Sequence, residues 1–174
     1  MNNVYIGIDP GSVSGCIALI YEENYIIKTI KTIEFAKHTT KEWYEKLNVL
    51  IKNGFPDKYI NSIHANGFID GIYKIYCTLE KVHGMPGMGV QSISAFMKNV
   101  GHIEMALLAL NIPFKEVTPQ AWMKYYNLKK DKAESKVEWK RRLREHLQRI
   151  LPEAPISNNT ADAILIAYYT MKNK

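Results

Sequence analysis

The chain has 174 residues, 47% of them hydrophobic and 23% charged, proportions of an ordinary globular protein long enough to bury one sizeable core. No apolar run reaches the roughly 20 residues that cross a bilayer, and the N-terminus lacks the pattern of a secretory leader. A membrane or exported protein is therefore not expected, and a cytoplasmic one is. The formal net charge is +6, and all of it can be assigned to residues 122–150, where ten Lys and Arg face four Asp and Glu; such a concentration is either a solvated helix face or a surface for a polyanion such as a phosphate backbone.

In chain order, Val4, Ile6 and Ile8 alternate with smaller or amphipathic residues, the pattern of a core strand over 4–9 that ends at Asp9 and breaks at Pro10-Gly11. Strands follow over 15–22 and 25–34, joined as a hairpin through Glu22-Glu23-Asn24. Cys16 and Cys77 lie in apolar strand-like runs and read as core thiols of a reducing compartment, with no CxxC or Cys/His metal spacing. Thr39-Thr40 can cap a helix over 40–53, with Trp43, Leu47, Leu50 and Ile51 on one face and Gly54 ending it. Residues 54–70 show no period and read as an irregular connection.

A fourth strand is expected over 73–82, with Tyr76, Thr78, Glu80 and Val82 on one face. A glycine-rich loop, 83–89, leads into a helix over 90–110. That loop is not followed by Lys-Ser/Thr, so no nucleotide-binding P-loop and no nucleotide cofactor are expected. A short strand at 113–117 precedes Thr118-Pro119, which opens a helix near 119–126. A basic helix over 132–150 and a final helix near 160–172, capped by Asn158-Asn159-Thr160, complete the chain. Strands first, then strand–helix alternation, give an α/β protein with a mixed sheet flanked by helices, in a single domain over 1–174.

Three carboxylates stand in apolar settings: Asp9 at a strand tip, Glu80 in the fourth strand and Asp162 in the first turn of the last helix. Each has an ordinary reading, as a turn residue, a strand-edge ion pair or a helix cap. Together they read differently. Neighbouring strands lie about 4.8 Å apart, so Asp9 and Glu80 face one another if their strands pair. Gathered carboxylates repel unless a cation sits between them. Oxygen ligands without His or Cys suit magnesium or manganese rather than zinc.

These segments, IGIDPGSVSG with Asp9, LEKVHGMPGMGVQSISAFMKNVGHIE with Glu80, VTPQAWMKYY, KKDKAESKVEWKRRL and TADAILIAYY with Asp162, follow one another in the order of the RuvC-like Holliday junction resolvases, and the chain resembles the compact phage-type branch of that family. The resemblance covers nearly all of the chain except residues 35–72. It implies a ribonuclease H-like fold with a five-stranded sheet whose first three strands are antiparallel. It also implies a homodimer that binds four-way DNA junctions and nicks two strands symmetrically, in a bacterial or phage-infected cell. Asp9, Glu80 and Asp162 carry over as catalytic metal ligands for two Mg2+ or Mn2+ ions. Lys132 and Lys136 carry over as phosphate contacts, and the neighbouring Lys124, Lys129, Lys130 and Lys140 join them in the basic segment. His83 is placed by position to reach a junction. Many members have a further acid three residues before the last one; here that position is Asn159, a neutral residue that weakens the case for a fourth ligand.

Other readings stay open from sequence. One is a ribonuclease H-like nuclease acting on RNA–DNA hybrids or flaps. Another is a junction-binding scaffold with little catalysis, motivated by Asn159. Trp122, Tyr125 and Tyr126, beside the basic segment, are either core residues or stacking platforms for bases.

Overall fold

The computed structural model describes residues 2–11, 15–34, 40–54, 73–84, 87 and 89–174. Strands β1 (Asn2–Asp9), β2 (Cys16–Glu23) and β3 (Ile26–Glu34) form an antiparallel meander. β4 (Tyr73–Glu80) pairs parallel to β1, and β5 (Phe114–Val117) parallel to β4. The sheet order is β3-β2-β1-β4-β5, the mixed five-stranded sheet expected from the sequence.

Period-two alternation sends the two sides of each strand into two cores. Val4, Ile6, Ile8, Cys77 and Leu79 face helices α1 (Thr40–Gly54) and α2 (Val90–Ala109), meeting Trp43, Leu47, Val100 and Ile103. Tyr5, Cys16, Ala18 and Ile20 face α5 (Ala161–Lys172), against which α3 (Pro119–Tyr125) and α4 (Lys136–Ile150) pack. Cys16 and Cys77 are buried free thiols.

Gly7 sets how closely α5 approaches β1. A Cβ there would lie 2.2 Å from the Ala167 nitrogen and 2.3 Å from the Ala163 oxygen, both backbone atoms that cannot yield. One helical turn further along, Thr170 donates a hydrogen bond to Thr78 at 2.8 Å and fixes the helix over β4 as well.

Several boundaries differ from the sequence reading, each for a local reason. β2 continues through Glu23, and the hairpin turns at Asn24-Tyr25, with φ of 51° and 66° at its two residues. Two left-handed residues match the twist of a two-residue hairpin, and asparagine adopts that conformation readily. β4 ends at Glu80, so Val82 leaves the expected face and packs against the α1–α2 core instead. α4 begins at Lys136 rather than near 132, because Ser135 and Glu138 form a reciprocal capping box. Thr160 occupies the N-cap position of α5, but its side chain does not cap the helix. Of the stretch 54–70, expected to be an irregular connection, Gly54 ends α1 and the rest lies outside the described residues, as do Met85, Pro86 and Met88 of the glycine loop.

Gly7→Ala is expected to cost about 3 kcal/mol or more, at or above the upper end of ordinary overpacking because the clash is with backbone. Urea unfolding checks this, and a loss below about 1 kcal/mol would mean that α5 can lift from β1.

Candidate active site

The register places the acids before any side chain is considered. Ile8 pairs with Leu79 across the parallel β1–β4 ladder, so the next residues, Asp9 and Glu80, end adjacent strands on the same face. That face is the one α5 covers. Asp162, in the first turn of α5, reaches the same end of the sheet because Gly7 lets the helix lie directly on β1.

Neighbouring groups hold each carboxylate. The Gly11 N–H donates to Asp9 Oδ1 at 3.1 Å. The indole of Trp122, completely buried, donates to Glu80 Oε1 at 2.8 Å. Lys140, from α4, forms an ion pair with Asp162 Oδ2. On the opposite side of the sheet, Asn99 of α2 accepts from the Trp43 indole at 3.0 Å and donates to the Pro10 carbonyl at 3.1 Å. A buried amide thus fixes the turn that follows Asp9.

The electrostatics are those of carboxylates crowded in a desolvated corner. Burial, then the charge of Asp162, pushes Asp9 up to about 7, against the Gly11 hydrogen bond and Lys140. Burial, then Asp9, pushes Glu80 up to about 8, against the Trp122 hydrogen bond. Asp162 Oδ1 is buried and has no hydrogen-bond partner. Among the described residues no three His, Cys, Asp or Glu side chains stand in an arrangement that holds a metal ion as it is, and the Lys140 ammonium, paired with Asp162, supplies compensating charge. The donor set nevertheless fits a hard divalent cation: all ligating atoms are oxygens, one of them is orphaned, and two acids are held partly protonated without such a charge.

The other expected site residues lie further out. Lys124, Lys129, Lys130, Lys132 and Lys136 are exposed, on α3, on the segment between α3 and α4, and at the start of α4. Lys140 is turned inward to Asp162 instead of joining that surface. His83, three residues beyond Glu80, is exposed. The Asn159 amide donates to Glu34 at the end of β3. Of the three aromatics, Trp122 and Tyr126 are core, and Tyr125 is 44% exposed, its ring edge-on to Tyr126 and Tyr169. Asn99 and Glu34 are contributors that sequence reading missed, and Trp122, read there as core or a stacking platform, is core and also holds Glu80. Only a weak signal existed for Glu34, which shares the strand-tip position and sheet face of Asp9 two strands away.

No protein-family model matches this chain, and none of the curated proteins does. Solved structures do. A structure of Thermus thermophilus RuvC is 15% identical, with 99% of this chain and 97% of that one covered at a TM-score of 0.55. Thermus thermophilus RuvC in complex with Holliday junction substrate is 16% identical, covering 94% and 89% at 0.51. The yeast mitochondrial Holliday junction resolvase is 17% identical, covering 96% and 77% at 0.44.

Asp9 and Glu80 bind protons more tightly in the folded chain than as unfolded carboxyls near pH 4. The stability carried by their protonated forms is complete below about pH 4 and is lost as pH rises through about 7 and about 8. In chelator, the melting temperature is expected to fall by about 3 °C or more between pH 5 and 8.5. Glu80→Gln should flatten that fall; a wild-type profile flat over this range would contradict the crowding. The mixed five-stranded sheet with its flanking helices has the ribonuclease H-like fold of RuvC.

Proposed function

We propose that this chain is a metal-dependent endonuclease that resolves four-way DNA junctions as a homodimer. The observation that carries the reading is the convergence of Asp9, Glu80 and Asp162 from two parallel strand ends and one helix start, beside the basic surface of α3 and α4. The shared fold supports it, since one of the similar structures is RuvC bound to a Holliday junction substrate.

Asp9, Glu80 and Asp162 would hold one or two Mg2+ or Mn2+ ions, whose chemistry when bound is to polarise a phosphodiester and sharpen a water as nucleophile. The protein's own groups prepare that site. Trp122 pins one oxygen of Glu80 and so orients the carboxylate. The Gly11 amide and the Asn99–Pro10 bond fix Asp9 from both sides of its turn. Lys140, held at Asp162, would meet a phosphate brought to the acids, while the exposed Lys124, Lys129, Lys130, Lys132 and Lys136 would meet the arms of the substrate.

Two coordinated cuts need two active sites. α2 buries Val100, Ile103 and Leu107 in the core and leaves Val90 (84% exposed), Met97, Met105 (54%) and Leu108 (61%) outward, at whole-turn spacings that share one face of the helix. An apolar stripe of this kind suits a second copy of the same helix. Met105→Glu is expected to shift the protein from dimer to monomer in sedimentation equilibrium while leaving its circular dichroism unchanged. A monomeric wild type would remove α2 as the interface.

The direct test is incubation with a mobile four-way junction, a linear duplex and an RNA–DNA hybrid, in magnesium and in manganese. Paired symmetric nicks confined to the junction are expected, and Asp9→Asn or Glu80→Gln should slow them by about a hundredfold or more, since even outer partners of ligands cost 10–100-fold. Selective cutting of the hybrid would replace this reading with a ribonuclease H-like activity. Tight junction binding without cleavage would leave a scaffold. Replacing Lys132 and Lys136 by alanine should flatten the salt dependence of binding by about 0.9 per lost phosphate contact.

A further inference from the structure

Asn159 stands three residues before Asp162, and its hydrogen bonds show what it does there. The Asn159 amide donates to Glu34 Oε2 at 2.8 Å. The identity of that amide group follows from its partner: an ionised carboxylate only accepts, so the atom facing it is the NH2. The second oxygen of Glu34 accepts from Ser157 Oγ at 3.0 Å. Ser157 Oγ in turn accepts from the backbone N–H groups of Asn159 and Thr160, each at 3.1 Å. Both oxygens of one carboxylate on β3 therefore grip the turn that leads into α5, at Asn159 and Ser157, three and five residues before Asp162.

The sheet register shows why this matters for the acids. Glu34 pairs with Cys16, and Cys16 pairs with Asp9, so Glu34 stands two strands from Asp9, about 10 Å across the sheet, at the same end. Burial first, then the charges of Asp9 and of Glu34, pushes the Cys16 thiol up, which places both carboxylates around one buried group. Ser157 also donates its backbone N–H to Thr160 Oγ1 at 2.7 Å, and Thr160 Oγ1 donates to the Pro155 carbonyl at 2.8 Å. The turn is hydrogen-bonded within itself, and Glu34 ties it to β3.

We infer that Glu34 is a positioning residue: through Ser157 and Asn159 it sets the start of α5, and hence Asp162, over Asp9, and Asn159 is part of this clamp rather than a metal ligand. The inference rests on the metal-site reading above. It also explains the residue at 159. An aspartate there would have no proton to donate and would set a second carboxylate against Glu34.

The test is Mn2+ binding to the intact protein, read from the electron paramagnetic resonance of free Mn2+, with melting temperature measured alongside. Asp162→Asn is the reference. If it binds Mn2+ as well as wild type does, the metal reading fails and this inference with it. If Asp162→Asn weakens binding, the clamp predicts that Glu34→Ala loses about tenfold in affinity, the lower end of what partners of ligands contribute. Glu34→Gln, which keeps an acceptor for this turn, should recover most of that loss. Asn159→Asp should weaken binding as Glu34→Ala does. Wild-type affinity in Glu34→Ala would overturn the clamp alone. Equal loss in Glu34→Gln and Glu34→Ala would assign Glu34 a charge role instead, and tighter binding by Asn159→Asp would make position 159 a ligand. Both outcomes contradict the inference.

Discussion

The closeness of α5 to β1 is the constraint on which the rest depends. A helix normally packs on a sheet with side chains between the two backbones. At Gly7 there is none, and the Ala163–Ala167 stretch of α5 rests on the strand itself. Alanines at those helix positions make the same contact from the other side. The result is geometric: the first turn of α5 projects past the end of β1, and Asp162 comes to the same corner as Asp9 and Glu80. A bulkier residue at 7 would raise the helix and separate the acids without touching any of them.

That corner is costly in a folded protein. Three carboxylates are drawn out of water into one place, with the Lys140 ammonium among them. Desolvation and mutual repulsion both favour the proton over the charge, and the raised values of Asp9 and Glu80 follow. The surrounding donors do not cancel this. Gly11, Trp122 and Lys140 each offset part of the repulsion, while one oxygen of Asp162 is left buried with no partner. A stable fold gains nothing from such an arrangement by itself. Under the proposed function it is intelligible as a binding site for positive charge, where a divalent cation would relieve the electrostatic strain.

Much of the frame was legible in the sequence because it depends on short-range pattern. Alternation at 4, 6 and 8, the Thr118-Pro119 start and the 3.6-residue stripes gave the strands and helices to within a few residues. The acids were legible for a different reason, as charges where apolar periodicity predicts none. What was not legible is tertiary. Nothing near Lys140 in the sequence distinguishes it from the exposed lysines around it; only the packing of α4 on α5 turns it to Asp162. The indole of Trp122 reads as core from its spacing, and it is core, yet its N–H is what orients Glu80. The bond between Asn99 and Pro10 joins residues 89 positions apart. Asn159 reads from sequence as a weakened ligand, whereas its amide is committed to Glu34, on a strand 125 residues earlier.

The central claim, that Asp9, Glu80 and Asp162 form one cation site, is most directly tested by anomalous diffraction from crystals grown with manganese near pH 8. Anomalous density bounded by these three carboxylates is expected, with the Lys140 ammonium drawn away from Asp162. Crystals saturated in manganese that show no density there, with Lys140 still paired to Asp162, would contradict it.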